Sequence, residues 1–220
     1  MKLIGINGFK RSGKGTVFDG IKAYRFATNN FTAKDKGYAD KLKQYAALSL
    51  GYTGTPEQLF QIGDALKLDG VYITVERWLD DADTLTETDQ ITGRQYLQHV
   101  GNEARNLFGE WFWVDQVTPL DPGALKRIWQ DEHYVLPDSA CITDLRYENE
   151  AERVRAIGGV IIEVTRPGVE SDGHASEQPL PRHLVDYTLA NDEGIHELHL
   201  KTWEVMEDLF DGTKGDAFNL

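Results

Sequence analysis

Cysteine is almost missing from this chain: 220 residues contain one, Cys141. A lone cysteine excludes an intramolecular disulfide. Its place in an apolar run, with no histidine beside it in sequence to activate it, marks a small buried side chain rather than a nucleophile. Long apolar runs are missing too, and none approaches the roughly 18–20 residues that a spanning helix needs, so no membrane partner is expected. The chain enters a strand at once, leaving no room for the regions of a secretory leader, and a cytoplasmic location is the expectation. Positive charge is scarce: 23 Lys and Arg stand against 36 Asp and Glu, a formal net charge of −13. A field of that sign opposes a nonspecific grip on nucleic-acid backbone, whereas free nucleotides remain compatible because local positive loops bind them. Internal repeats and low-complexity tracts are absent as well.

What remains is the composition of a globular protein, 40% hydrophobic and 27% charged, of a length that suits one α/β domain with excursions. Its most informative stretch is Gly8-Phe9-Lys10-Arg11-Ser12-Gly13-Lys14-Gly15-Thr16, between the apolar run Leu3-Ile4-Gly5-Ile6 and a helix starting near Lys14. A buried strand feeding a glycine-rich turn and then a helix aims backbone N–H groups, the positive end of the helix dipole and one lysine at the same point, which suits polyphosphate. The spelling departs from G-x-x-x-x-G-K-[ST], since Gly15 follows Lys14 and the hydroxyl arrives at Thr16; G-K-G-T is the form found in nucleoside monophosphate kinases.

Periodicity predicts strands at 2–6, within 31–39, at 139–144, 160–165 and 187–190, and helices at 14–27, 41–48, 93–108, 148–157 and 194–209. Gly51 is the expected stop for the second helix, and the segment carrying Trp111, Phe112, Trp113 and Val117 reads as helical or mixed with a buried aromatic face. Between about Thr53 and Thr92 the pattern weakens, with Pro56 and the run Asp80-Asp81-Ala82-Asp83 breaking any long helix, so 53–92 reads as an insertion or substrate-side subdomain. The tail after Gly212 reads as loose. The strand, helix, strand order from Ser139 to Thr165 is the mark of a parallel sheet, and the expected fold is an α/β P-loop kinase: a mostly parallel central sheet flanked by helices, plus a helical or irregular insertion.

In such sheets ligands gather outside the C-terminal strand ends, where Lys10, Arg11 and Lys14 follow one strand, Asp144 and Arg146 another, and Arg166 a third. Phosphoryl transfer needs this, because it depends on positioning and on neutralising the moving group's charge. Lys14 is placed to reach the β and γ phosphates, and Gly13, Gly15 and Thr16 to offer N–H groups and a hydroxyl; Thr16 also fits a plain helix-start residue. No direct metal ligand is assigned; Mg²⁺ is expected to reach Thr16 and Asp144 through water. Asp144 is also placed to accept a hydrogen bond from the substrate, with an N-cap of the next helix as its competing reading, and Arg146 to pair bidentately with phosphate, with a salt bridge to Glu148 or Glu150 as its competing reading.

The loop, together with Arg94-x-x-x-Gln98-x-x-Gly101, Trp113, Asp144-x-Arg146-x-x-Asn149-Glu150, Arg166-Pro167-Gly168, His174-x-Ser176-Glu177 and Asn191-Asp192 in this order, resembles the bacteriophage deoxynucleoside monophosphate kinases. The resemblance implies transfer of the γ-phosphate of ATP, with Mg²⁺, to a deoxynucleoside monophosphate for phage DNA precursor supply. It implies Lys10 at both phosphate groups; Arg11, Ser12, Gly13, Lys14, Gly15 and Thr16 as the ATP loop; Leu42 and Lys43 in the monophosphate site; Arg94 on the substrate phosphate; and Trp113 beside the nucleoside. Arg166 falls where an adenine or phosphate contact belongs, and Asn191 borders the adenine. Duller explanations stand beside these: Lys43 as a solvated helix lysine, Arg94 as a surface charge, Trp113 as core, and Asn191-Asp192 as a turn. A lid arginine is not evident beyond Arg153, Arg155 and Arg166, and the residues recognising the base are not identified. Two other readings share the loop, a different small-molecule P-loop kinase such as a dephospho-coenzyme A or gluconate-type kinase, and a nucleotide-binding regulatory protein without transfer. The aromatic face around Trp111 to Trp113 fits a homodimer contact as well as burial within one chain.

Overall fold

The computed structural model describes residues 1–26, 32–78, 85–169 and 179–210. Phe31, the run Asp80-Asp81-Ala82-Asp83, the His174, Ser176, Glu177 group and the tail after Gly212 lie outside the described residues.

β1 (Lys2–Asn7) is buried from Leu3 to Asn7, because it is the central strand of a five-stranded sheet. Around it stand β2 (Ala33–Lys36), β5 (Ser139–Leu145), β6 (Val160–Thr165) and β7 (Tyr187–Ala190), in the order β2-β5-β1-β6-β7 and all parallel. Strands buried on both faces read as near-continuous apolar runs, which is why 3–6, 140–142 and 160–162 are legible. Ile4 and Ile6 pack into a core with Val17, Phe18 and Ile21 of α1 (Lys14–Phe26) and Leu198, Val205, Met206 and Leu209 of α8 (Ile195–Phe210). On the other face Gly5 lets α7 (Glu148–Ala156) come close. A Cβ there would lie 2.6 Å from Leu145 Cδ1 and 3.7 Å from Val154 Cγ1.

The chain divides into two compact units, Met1–Tyr38 with Val114–Leu220, and Ala39–Trp113. The second holds most of α2 (Tyr38–Ser49), then α3 (Pro56–Ala65), the antiparallel pair β3 (Tyr72–Trp78) and β4 (Leu85–Thr92), and α4 (Gly93–Phe108). Its small core joins Ala46, Leu66 and Leu97 with Leu42, Leu50, Val71 and Ile73. α2 ends as expected at Gly51 (φ 84°): Gly51 N–H donates to Leu48 O and Tyr52 N–H to Ala47 O, closing the last turn.

Two expectations need correction. Pro56 does not break a helix; it starts one, since proline is suited to the first helical position and Thr55 caps the end with Gln58. Gln58 N–H donates to Thr55 Oγ1 and Thr55 N–H to Gln58 Oε1, so the segment from 53 onward carries regular structure, a helix and a hairpin. The same signal stands at Asp121-Pro122, which opens α6 (Pro122–Trp129). The aromatic segment is the short α5 (Phe112–Asp115), with Trp113 and Val117 buried. Arg153 and Arg155, weighed as lid residues, are structural. Arg153 is buried and donates to Asp115 and to Thr118 O, while Arg155 pairs with Asp186 at 2.5 Å.

Cys141 is fully buried in the main core, and burial pushes its thiol far up. The native protein should therefore show no reactive thiol to Ellman's reagent and one after unfolding in guanidinium; rapid modification of the folded protein would contradict this packing.

Candidate active site

Asn7 ends β1, and its buried amide donates to Leu145 O at 3.0 Å, fixing the ends of β1 and β5 together. The chain then turns through Gly8 (φ 146°), Arg11 (φ 68°) and Gly13 (φ 116°) into α1. Glycine is required at two of these. A Cβ on Gly8 would lie 2.4 Å from Val164 O, and one on Gly13 2.6 Å from Asn191 Nδ2, in backbone conformations that other residues rarely adopt. Arg11 holds the left-handed region without that freedom, at a cost of about 1–2 kcal/mol. Its carbonyl accepts from the Arg166 guanidinium at 3.3 Å.

The Lys14 ammonium donates to Gly8 O at 2.5 Å and to Phe9 O at 3.0 Å, so the cation is held across the loop by the loop's own carbonyls. Ser12 is buried; its N–H donates to Phe9 O, and its hydroxyl makes no hydrogen bond among the described residues, so its side chain belongs to the floor of the turn. Arg11, Lys14, Gly15, Thr16, Arg166 and Asn191 all line one open cavity of about 500 Å³, a volume in the range of small-ligand sites. Lys10 and Arg11 are exposed at its loop. Donors, the start of α1 and two further cations thus surround a space that has the character of a phosphate site.

Asp144 is the penultimate residue of the neighbouring strand β5, and Arg146 is the first residue after it. Asp144 does not cap α7. Its Oδ1 accepts the Tyr38 N–H at 2.7 Å, at the start of α2, and α7 is closed instead by Glu150, whose Oε2 accepts from Arg146 N and Tyr147 N at 2.7 and 3.0 Å. Tyr38 is held at its other end by a hydrogen bond between its hydroxyl and Thr118, and burial raises that phenol. Arg146 is exposed. Lys36, which ends β2 at the same edge of the sheet with its ammonium 5.8 Å from the Trp129 ring, was missed, because a four-residue, half-exposed strand has no apolar period to draw attention to it.

In the second unit Lys43 is not a solvated lysine: its side chain is 11% exposed, lies 3.4 Å from Asp40 and 3.2 Å from Asp64, and covers the Phe60 ring at 4.2 Å. Partial burial works to raise the Asp64 carboxyl, but bonds from Lys67 and Lys43 outweigh it and hold it below the usual range. Arg94 is exposed in the first turn of α4, behind a Thr92–Gln95 capping box, and makes no hydrogen bond or ion pair among the described residues. A cation there opposes its own helix dipole, an arrangement that an anion would relieve. Leu42 is half-buried in the unit's core against Gly101, and Trp113 is buried with its indole N–H on Gly101 O at 3.0 Å. Gln98 is exposed on α4.

A glycine-rich loop leaving the central strand of a parallel sheet, with a lysine at its crown and arginines at adjacent strand ends, defines a P-loop α/β protein of the phosphotransferase type. The chain belongs to the deoxynucleotide monophosphate kinase family, whose model matches residues 79–202, more than half its length. A protein of Acanthamoeba polyphaga mimivirus, provisionally named a deoxynucleotide monophosphate kinase, is 29% identical over 218 residues, covering 90% of this chain and 93% of that one. The deoxynucleotide monophosphate kinases of Escherichia phage RB69 and Enterobacteria phage T4 are 32% identical over 115 residues and 30% over 120, in each case 51% of this chain and 44% of theirs. No described helix is long and apolar enough to cross a membrane.

The two loop glycines make opposite predictions. Gly13→Ala forces a side chain into Asn191 at positive φ and should lower thermal stability, whereas a Cβ on Gly15 meets nothing within 4 Å, so Gly15→Ala should melt as the wild type does. Equal melting temperatures for the two variants would contradict the loop conformation.

Proposed function

We propose that the protein transfers the γ-phosphate of ATP to a deoxynucleoside 5′-monophosphate, giving ADP and a deoxynucleoside diphosphate, in the service of phage or viral DNA synthesis in the host cytoplasm. The single observation behind this reading is the phosphate cavity around Lys14 in a chain of this family. Family membership favours a deoxynucleotide acceptor over the dephospho-coenzyme A and gluconate alternatives, and a transferase over a regulatory nucleotide binder.

In this reading Gly13, Gly15 and Thr16 hold the triphosphate through N–H groups and a hydroxyl, with Arg11 and Arg166 adding charge beside them. Binding draws Lys14 from Gly8 O and Phe9 O onto the β and γ phosphates. Lys10 neutralises the phosphoryl group as it moves, and Arg146 assists from the next strand end. Asp144 accepts from the acceptor nucleotide. Arg94 and Lys43 serve the acceptor phosphate; the exposed Arg94, which has no ion pair among the described residues, suits a bidentate grip better than Lys43, whose charge two carboxylates already balance.

Mg²⁺ belongs to this reading. In it the ion is carried by nucleotide phosphates and water, with Thr16 and Asp144 meeting it through water. Bound there, the ion would neutralise charge on the phosphates.

A coupled ADP-release assay with Mg²⁺ and ATP across dAMP, dCMP, dGMP, dTMP and hydroxymethylated analogues should show stimulation by at least one acceptor. Lys14→Ala should reduce kcat at least ~100-fold. Arg94→Ala should raise the acceptor KM about tenfold while leaving that for ATP unchanged. ATP hydrolysis indifferent to every acceptor would defeat the kinase reading.

A further inference from the structure

The turn after β7 makes contacts that a base-binding segment does not need. Asn191 continues the sheet, its N–H donating to Thr165 O at 2.8 Å, and its side-chain amide crosses to donate to Ser12 O at 2.7 Å. That bond joins residues 179 apart in sequence and lands on the peptide that leads into Gly13. In a trans peptide the N–H points opposite to the carbonyl, so fixing Ser12 O fixes the direction of Gly13 N–H. Gly13 and Asn191 are fitted to each other as well, since the amide nitrogen occupies the space a Cβ on Gly13 would need.

Asn191 is itself held from α8. The Lys201 ammonium donates to Ala190 O at 3.1 Å and to Asp192 Oδ1 at 2.8 Å, and lies 3.4 Å from Glu193 Oε1, so it grips the residue before Asn191 and the two after it. The bond to Asp192 raises the lysine above its ordinary range and lowers the carboxylate below its own. Together with Arg166 on Arg11 O, two adjacent carbonyls of the phosphate loop are each bound by a side chain from a neighbouring strand end.

We propose that Asn191 and Lys201 are positioning residues of the phosphate loop: Lys201 sets the 190–193 turn, and Asn191 transmits that setting to the Ser12–Gly13 peptide. On this account Asn191 acts on the polyphosphate through the loop and does not read the adenine. The proposal rests on the loop being the ATP site, and it predicts an effect blind to the base.

The test compares ATP with inorganic triphosphate, each with Mg²⁺, by titration calorimetry on wild type, Asn191→Ala, Asn191→Asp, Lys201→Met and Lys201→Arg. Removing the Asn191 donor should weaken ATP and triphosphate by the same factor, about tenfold for the alanine and more for the aspartate, which sets a carboxylate against Ser12 O. Lys201→Met should weaken both ligands in the same ratio as each other and raise KM for ATP without moving KM for the acceptor, and Lys201→Arg should restore binding. A loss confined to ATP would show that Asn191 reads the base and would overturn the proposal. So would a fall in melting temperature with unchanged affinity for both ligands, which is the outcome of a merely structural role. Wild-type protein that binds neither ligand would instead overturn the phosphate-site reading itself.

Discussion

Everything in the first unit depends on how the backbone leaves β1. Between Asn7 and Lys14 the chain adopts positive φ three times, and one of those residues, Arg11, is not glycine. A turn of that kind is costly to hold, and the surrounding contacts hold it: Asn7 ties the strand end to β5, Arg166 binds the Arg11 carbonyl, Asn191 binds the Ser12 carbonyl, and Lys14 bridges Gly8 and Phe9. The parallel sheet makes this possible by ending β1, β5, β6 and β7 at one edge, so that side chains far apart in sequence arrive at the same loop. Preorganisation of this sort lets backbone donors meet a polyphosphate without reorganising at the moment of reaction.

The sheet and the loop were legible because their causes are local. A strand buried on both faces is mostly apolar, and a loop that turns through Gly8 and Gly13 has to contain glycine at those positions. The regular structure of the second unit was harder to read, since its small core is built from scattered residues such as Leu66, Val71, Ile73 and Leu97, with no period long enough to count. Two proline-led helix starts were readable in principle. Thr55-Pro56 and Asp121-Pro122 each place a capping side chain before a proline whose missing N–H no helix needs.

Among the candidate site residues, the loop positions carry their reason in the local sequence, whereas the partners that hold Lys43 and Asp144 lie elsewhere in the chain. Nothing in the sequence around Lys43 announces that Asp40 and Asp64 enclose its ammonium; one lies a helical turn before it and the other on a different helix. Asp144 was read against the helix that follows it, whereas its partner, Tyr38 N–H, precedes it by 106 residues. Lys201 gave no signal at all, because it works through the turn it grips.

The central claim is that the loop holds a donor whose terminal phosphate goes to a deoxynucleotide. The direct measurement is to incubate the protein with Mg²⁺, γ-labelled ATP and each deoxynucleoside monophosphate, and to separate the products. The account predicts label in the β-position of a deoxynucleoside diphosphate, formed in equal amount with ADP. Label remaining in ATP, or released only as inorganic phosphate with every acceptor, would contradict it.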